Sequence, residues 1–174
     1  GVSDAPEVTE EHPLVPLTDY NKYKGMCEPI LAKFQSPDFT TVTIRPATVC
    51  GYSPRMRLDL TVNILTNHAV NNGVIKVFGG THKRPNIHIE DITDLYVFLL
   101  DRPDVEGVFN AGFENLSIRT IAETIAEYIP ATINIEPSND PRSYRINSDK
   151  ILATGFKPKK TVRDAISEVA EAYK

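Results

Sequence analysis

Cysteine, long apolar stretches and excess charge are all scarce in this sequence, and each scarcity excludes a class of protein. Two cysteines, Cys27 and Cys50, are too few for a disulfide framework, so we expect reduced thiols in a cytoplasmic protein. No apolar stretch approaches the ~20 residues of a membrane-spanning helix, and the first residues show no signal-peptide pattern. The formal net charge of -4 at pH 7 gives no general attraction to nucleic acid or to an anionic membrane.

Two features are also missing at the level of motifs. The chain begins at Gly1 without a methionine, and residues 1–12 are polar and acidic, so we expect a trimmed fragment of a longer protein. No glycine-rich phosphate loop follows a strand anywhere in the sequence, so this chain is not expected to hold the pyrophosphate of a dinucleotide. The residues that are present, 41% hydrophobic and 24% charged, suit a globular domain with a hydrophobic core.

Hydrophobic periodicity divides the chain into alternating helices and strands, which predicts the α/β class. Six helices are predicted, with N-caps at Thr18 or Asp19, Asp59, Asp91, Ser117, Ser148 or Asp149, and Thr161. Strands or short extended segments are predicted at 41–45, 74–78, 86–89, 107–111 and 131–135, and a loop at 46–58.

Only two of these strands have the composition of strands in a buried main sheet. They are Thr41–Arg45, which is rich in β-branched residues, and Gly107–Ala111. Two parallel strands do not form a stable open sheet by themselves. The sequence therefore predicts that a partner segment outside this chain completes the sheet.

The clearest chemical motif is the Tyr-Asn-Lys-Tyr-Lys segment at 20–24, near the start of the first predicted helix. Tyr20 and Lys24 are four residues apart, which puts both side chains on one face of the helix. An ammonium group beside a phenol favours the phenolate, and a phenolate can act as a general base on a substrate hydroxyl at neutral pH. A tyrosine and a lysine at this spacing are usually just surface neighbours, so the motif depends on its context.

Further motifs follow in order along essentially the whole chain. They are Pro6, Glu10, Pro13, Thr43–Pro46, Gly51–Pro54, Asn63, Val77–Gly80, Arg84–Asp91, Phe109–Gly112, Arg142–Tyr144 and Gly155–Lys159. Together with Tyr20 and Lys24 they resemble the extended short-chain dehydrogenase/reductase family, specifically its NAD-dependent sugar-nucleotide epimerases and dehydratases. Any one motif is weak, whereas the ordered set is strong.

The resemblance implies a doubly wound NAD-binding (Rossmann-type) fold with a smaller α/β substrate-binding lobe, of which this chain would be the C-terminal part. Residues 1–58 would end the NAD-binding domain with the Tyr/Lys helix and a sheet strand. Residues 59–174 would be mainly the substrate lobe, with 91–112 returning a helix and a strand to the NAD-binding domain. The N-terminal cofactor half of the same protein would be absent from this chain.

The resemblance also implies roles at a catalytic and cofactor site. Tyr20 would be the catalytic acid/base, and Lys24 would assist it and hydrogen-bond the nicotinamide ribose of NAD. The segment against the nicotinamide would consist of Pro46, Ala47, Thr48 and Val49. A plain connection between a strand and a helix explains any single one of these four residues equally well.

Substrate binding would fall to four further positions, which are Asn63, Phe78, Arg84 and Arg142. An arginine suits the diphosphate of the substrate because its planar fork binds phosphate oxygens in pairs. Phe78 would stack near the nucleotide base, although an aromatic there is nearly as often part of a core. Arg55 and Arg57 lie near the expected substrate mouth, where a solvated loop is the better interpretation. No metal site is predicted, because His88 has no second ligand at convincing spacing.

The implied reaction is epimerisation, or dehydration, of a nucleotide-diphosphate sugar through a keto-sugar, with NAD regenerated. Alternatives are a reductase of the same family that acts on another carbonyl substrate, or a non-catalytic nucleotide-binding relative. The catalytic Ser/Thr of the family, and the acidic pair of its dehydratases, would lie just before Gly1, so the isolated chain is expected to be inactive. A homodimer is expected through the Tyr/Lys helix, whose second face bears Met26, Ile30 and Phe34.

Overall fold

The computed structural model describes residues 5–139 and 143–174 and alternates helices with strands, which confirms the α/β class. The helices are α1 (Asp19–Ala32), α2 (Thr61–Asn72), α3 (Ile89–Leu100), α4 (Ile118–Tyr128), α5 (Asp149–Leu152) and α6 (Val162–Ala172). The strands are β1 (Val42–Pro46), β2 (Thr48–Cys50), β3 (Val74–Phe78), β4 (Lys83–His88), β5 (Gly107–Ala111), β6 (Glu114–Ser117) and β7 (Thr132–Glu136). The sequence predicts neither β6 nor β2, which lies inside the expected loop 46–58.

Within the described residues the strands form three small sheets. In the first, β1 and β5 pair in parallel, from Val42 opposite Gly107 to Pro46 opposite Ala111. The second has the order β2-β4-β6, and the third is the parallel pair β3-β7. The two strands that the sequence assigns to a main sheet are therefore neighbours, and no third described strand joins them.

The buried apolar side chains form two clusters. The larger cluster joins α2, α4, α6 and β3, and it includes the fully buried Ile125 and Ile166. The smaller cluster packs α3 and α5 against β5 around Leu95 and Phe109, with the apolar residues of β1 at its partly buried margin. Helix α1 belongs to neither cluster, and none of its residues is buried.

Local capping explains where several helices begin. The hydroxyl of Thr18 accepts a hydrogen bond from the backbone of Asn21, and Ser117 caps α4 in the same way. Thr161 and Asp164 form a capping box at the start of α6. The predicted caps at Thr18, Ser117 and Thr161 are confirmed.

The predicted caps at Asp59 and Asp91 are wrong. Helix α2 begins after Leu60 without a side-chain cap, and the carboxylate of Asp59 instead accepts from Arg57 Nε at 3.0 Å. Helix α3 is capped by His88, whose Nδ1 accepts from the backbone of Glu90 at 3.1 Å. The carboxylate of Asp91 is buried and accepts from two backbone amides that precede α6, those of residues 159 and 160.

Candidate active site

Two cavities meet at Tyr20 and Pro46. One, of about 610 Å³, extends along α1 and β1 and contains Lys24 in its lining. The other, of about 500 Å³, extends towards α2 and is lined by Asn63 and the segment that follows β1. Because Tyr20 and Pro46 line both cavities, the phenol of Tyr20 stands at the junction of two binding spaces.

Helix α1 presents the two groups of the predicted catalytic pair on one side. The four-residue spacing of Tyr20 and Lys24 corresponds to a rotation of about 40° beyond one full turn, so the side chains follow each other along the helix. Both residues are exposed, and Tyr20 keeps 71% of its surface accessible. The phenol and the ammonium group are thus available to a ligand in the cavity.

The predicted cofactor segment forms part of the wall of the cavity that Tyr20 also lines. Pro46, Ala47, Thr48 and Val49 all line the cavity on the Asn63 side. The backbone amide of Ala47 donates to the carbonyl of Ala111 at 2.8 Å, and β2 then pairs with β4. This wall is held between two sheets, so it is a fixed surface against which a flat ring could lie.

Asn63 lies in the same cavity but uses its amide to shape the loop above it. Its Oδ1 accepts from the backbone of Gly51 at 3.1 Å, and its Nδ2 donates to the carbonyl of Arg57 at 3.1 Å. The residue is buried, with 3% of its surface accessible. Its position therefore fixes the loop between β2 and α2, which carries Arg55 and Arg57 into the lining of the cavity.

The other predicted substrate residues lie away from this junction. Phe78 is at the end of β3 with 53% of its surface exposed, and the partly buried Arg84 pairs in β4 with Leu116 of β6. Neither residue lines the two cavities that meet at Tyr20. Arg142 falls outside the described residues. The roles of Phe78, Arg84 and Arg142 in substrate binding therefore stay predictions.

Tyr144 and the Arg55/Arg57 pair are the site residues that sequence reasoning missed or undervalued. Tyr144 lines the cavity at Tyr20 together with both arginines. Arg57 forms a two-point ion pair with Asp59, which raises the pKa of Arg57 through its hydrogen bonds to that carboxylate. The signal for Tyr144 was its place in the Arg-Ser-Tyr motif, where only the arginine was given a role.

Two groups that could suggest other chemistry have structural roles. Burial raises the pKa of Cys50 to about 12, so this thiol is not a nucleophile at neutral pH. Because Nδ1 of His88 accepts a backbone hydrogen bond, its Nε2 carries the proton and donates to Glu168 at 3.0 Å. Burial acts to raise the pKa of Glu168, but Lys160 and His88 outweigh it, so the pKa is lowered below 4.5.

No helix among the described residues is both long and apolar enough to span a bilayer.

Known proteins share both the sequence pattern and the fold. Residues 2–112 match the model of the NAD dependent epimerase/dehydratase family, and the chain belongs to that family. GDP-L-fucose synthase 1 of Arabidopsis thaliana is 30% identical over 100 residues, which are 54% of this chain and 31% of that protein. UDP-arabinose 4-epimerase 1 of the same plant is 26% identical over 159 residues, covering 78% of this chain and 38% of that protein.

The fold comparison extends over nearly the whole chain. The crystal structure of UDP-glucose 4-epimerase from Thermus thermophilus, a complex with NAD, superposes with a TM-score of 0.81. The match covers 99% of this chain and 59% of that one at 19% identity, so it establishes the fold alone. The predicted fold, the C-terminal part of a Rossmann-type epimerase, is thereby confirmed. The chain spans about a third of the length of the curated relatives that it matches.

Proposed function

We propose that the complete protein epimerises or dehydrates a nucleotide-diphosphate sugar through a keto-sugar, with NAD as its cofactor and Tyr20 as the acid/base. The observation that carries this proposal is the position of Tyr20, which lines both cavities at their junction. A group at that junction can reach a substrate on one side while a cofactor occupies the other. Membership of the NAD-dependent family supports the same reaction class.

Each residue at the junction would contribute a distinct step. Tyr20 takes the proton from a sugar hydroxyl as the carbonyl forms, and it returns a proton when the keto-sugar is reduced. Lys24 stabilises the phenolate of Tyr20 through its positive charge. The wall formed by Pro46–Val49 lines the cavity beyond Tyr20, where it would lie against the nicotinamide and the reacting carbon and limit their movement.

The residues of this chain fit the nicotinamide end of NAD. The cavity of about 610 Å³ presents the phenol of Tyr20 and the ammonium group of Lys24, which are hydrogen-bonding groups suited to ribose hydroxyls. NAD bound there would supply the hydride acceptor and donor of the reaction. The pyrophosphate needs a glycine-rich loop that this sequence does not contain, so we propose that the N-terminal half of the same protein provides it.

The two hydrophobic clusters support a division of the chain into a cofactor region and a substrate region. The smaller cluster joins β1 to α3 and β5, as expected if 1–58 and 91–112 complete the NAD-binding domain. The larger cluster joins elements of 59–174 and would be the core of the substrate lobe, where Asn63, Phe78, Arg84 and Arg142 would bind the nucleotide sugar. In the complete protein we also propose a homodimer that covers Met26, Ile30 and Phe34.

Product analysis tests the proposed reaction. The full-length protein would be incubated with NAD and a panel of UDP-glucose, UDP-glucuronate, UDP-arabinose and dTDP-glucose, and the sugars identified by NMR. An epimer or a dehydrated keto-sugar, formed without net loss of NAD, is the expected result. Net oxidation of NADH or NADPH by another carbonyl compound, with no sugar product, would favour the reductase instead. No turnover together with nucleotide binding would favour the non-catalytic relative.

A further inference from the structure

Helix α1 carries the proposed acid/base but is poorly anchored by packing. None of its residues is buried, and it belongs to neither hydrophobic cluster. Among the described residues, Glu28 is the only side chain of α1 that forms a hydrogen bond to another element. Within the described residues, the contact of Glu28 is thus the side-chain hydrogen bond that ties α1 to the rest of the fold.

Glu28 is held by Arg45 of β1 in a two-point ion pair. Arg45 Nε donates to Glu28 Oε1 at 2.9 Å, and Arg45 Nη2 donates to Glu28 Oε2 at 2.6 Å. The side chains of Arg45 and Glu28 are only 22% and 16% accessible, respectively, so solvent screens the pair weakly. A two-point contact of this kind fixes orientation as well as distance.

Arg45 is itself fixed to the surrounding framework. Its third donor, Nη1, reaches the carbonyl of Glu10 at 3.1 Å, and the side chain of Glu10 accepts from the backbone of Asn110 in β5 at 2.7 Å. Arg45 also directly precedes Pro46, which lines both cavities together with Tyr20. The pair thus joins the helix that bears Tyr20 to the strand that leads into the lining of the same cavities.

The spacing along α1 converts this contact into control of Tyr20. Tyr20, Lys24 and Glu28 recur every four residues, so each stands about 40° around the helix from the one before, and Tyr20 and Glu28 are about 80° apart on a rigid helix. The side chains of an α-helix extend about 5–6 Å from its axis, so a rotation of about 15° displaces their outer atoms by roughly 1.5 Å. Errors of about 1 Å in the geometry of reacting groups can cost about 100-fold in rate.

We propose that Glu28 and Arg45 are positioning residues that set the rotation of α1 and thereby aim Tyr20 at the substrate. This inference rests on the proposed role of Tyr20. Both residues also line the cavity of about 610 Å³ proposed for NAD, so the NAD content of each variant is measured as well and should stay at the wild-type level.

The test measures kcat and KM of the full-length protein with UDP-glucose, or with the panel member that the wild-type protein converts fastest. Glu28→Gln removes the charge and one acceptor at nearly constant volume, so kcat should fall about 10- to 100-fold while KM changes less than about threefold. Arg45→Lys keeps the charge but cannot form the two-point contact, and it should show the same pattern with a smaller loss. It also serves as the second variant if Glu28→Gln does not fold.

A double-mutant cycle separates aiming from mere stabilisation of the fold. In a Tyr20→Phe background, Glu28→Gln should cause no further loss of kcat, because there is no phenol left to aim. An equal loss in both backgrounds would overturn the inference, as would wild-type kcat in Glu28→Gln and Arg45→Lys. Asp104→Asn is the matched control, since Asp104 forms a similar two-point pair with Arg102 away from the site, and it should keep wild-type kinetics.

The outcomes distinguish this inference from the proposed function. Full activity of Tyr20→Phe, or no turnover of any panel member by the wild-type protein, would remove the proposed function and the inference with it. Loss of activity in Tyr20→Phe alone, with Glu28→Gln unaffected, would remove only the inference.

Discussion

Helix α1 and helix α6 show how differently two apolar stripes are treated within one chain. Both helices repeat large apolar residues at helical spacing, but α6 buries Ile166 completely, whereas Ile30 of α1 keeps 54% of its surface exposed. Met26 on α1, and Phe34 two residues after the end of the helix, are exposed to a similar extent. The stripe on α6 is packed inside the chain, whereas the stripe on α1 is exposed, and we propose that segments outside this chain cover it.

The strands repeat the same contrast. Strand β4 has neighbours on both sides, β2 and β6, while β1 pairs only with β5 among the described strands. An unpaired edge leaves backbone amides and carbonyls that favour pairing with another strand. The lobe built on α2, α4 and α6 buries its apolar residues within the chain, and we propose that the region of α1 and β1 packs against segments outside it.

The largest expected effect concerns the chemical function of the α1 region. In the full-length protein, Tyr20→Phe should keep the fold and bound NAD but reduce kcat about 10²- to 10⁴-fold, because only the phenolic oxygen is lost. Steady-state kinetics and NAD content measure both properties. Tyr23→Phe is the control, since Tyr23 directly precedes Lys24 and points about 100° away from it around the helix. Equal losses in the two variants would mean that the motif assignment is wrong.

Two isoleucine substitutions, one buried and one exposed, test the contrast between the packed lobe and helix α1. In the 174-residue chain alone, Ile125→Ala should lower the free energy of unfolding by about 2–5 kcal/mol, because it leaves a cavity in a complete core. Ile30→Ala should change it by less than about 0.5 kcal/mol there, since this side chain is largely exposed. Urea titrations give both values.

The same two substitutions in the full-length protein test whether the exposed face of α1 becomes buried there. There Ile30→Ala should become clearly destabilising, because the missing segments would bury the α1 face. A negligible effect of Ile30→Ala in both proteins would show that the face stays open to solvent. Light scattering of the full-length protein at micromolar concentration should report a dimer.

The lobe should also contribute to nucleotide binding in the full-length protein. Arg84→Ala and Arg142→Ala in the full-length protein should each weaken binding of UDP about tenfold or more, since a hydrogen bond to a charged group contributes roughly 1.5–3 kcal/mol. Calorimetric titration with UDP measures the loss. Unchanged affinity in both variants, with the fold intact, would mean that the diphosphate binds elsewhere.

The isolated 174-residue chain should not bind NAD tightly in a calorimetric titration, and micromolar affinity would contradict that expectation.

The smallest expected effect concerns the pH dependence of the lobe. The pKa of Glu168 is lowered in the folded protein, so its ionised form stabilises the fold above the ordinary value of 4.5. That contribution is lost as the pH falls from about 5 through the folded pKa. Thermal unfolding of wild type and Glu168→Gln should therefore converge as the pH falls from about 6 to about 3. A difference in Tm that stays constant over this range would contradict the proposed linkage.

Sequence reasoning succeeded where the determining contacts are local. Ser117 and Thr161 are caps because each hydroxyl meets an amide three residues away, and Tyr20 and Lys24 are neighbours through helix geometry alone. The sequence also assigns β1 and β5 to a main sheet, and the structure adds that they pair with each other.

Sequence reasoning failed where a side chain forms its hydrogen bonds with a distant segment. Asp91 accepts hydrogen bonds from amides 68 and 69 residues away, so a capping rule that considers only neighbouring residues does not predict its partners. The Glu28–Arg45 pair spans 17 residues and depends on how α1 lies across β1. The place of Tyr144 beside Tyr20 likewise follows from the packing of the chain and not from spacing.

The turn after β2 imposes a restriction on which sequences can replace this one. Gly51 has φ of +104°, a backbone conformation that residues with a Cβ rarely adopt, and a Cβ there would lie 2.8 Å from His88 Nε2. Any larger residue would therefore displace the imidazole that bonds Glu168, besides straining the turn. Gly51, His88 and Glu168 come from three separate segments, so a substitution at any one of them must stay compatible with the side chains at the other two. We therefore expect a substitution at one of these positions to be tolerated best when the other two change with it.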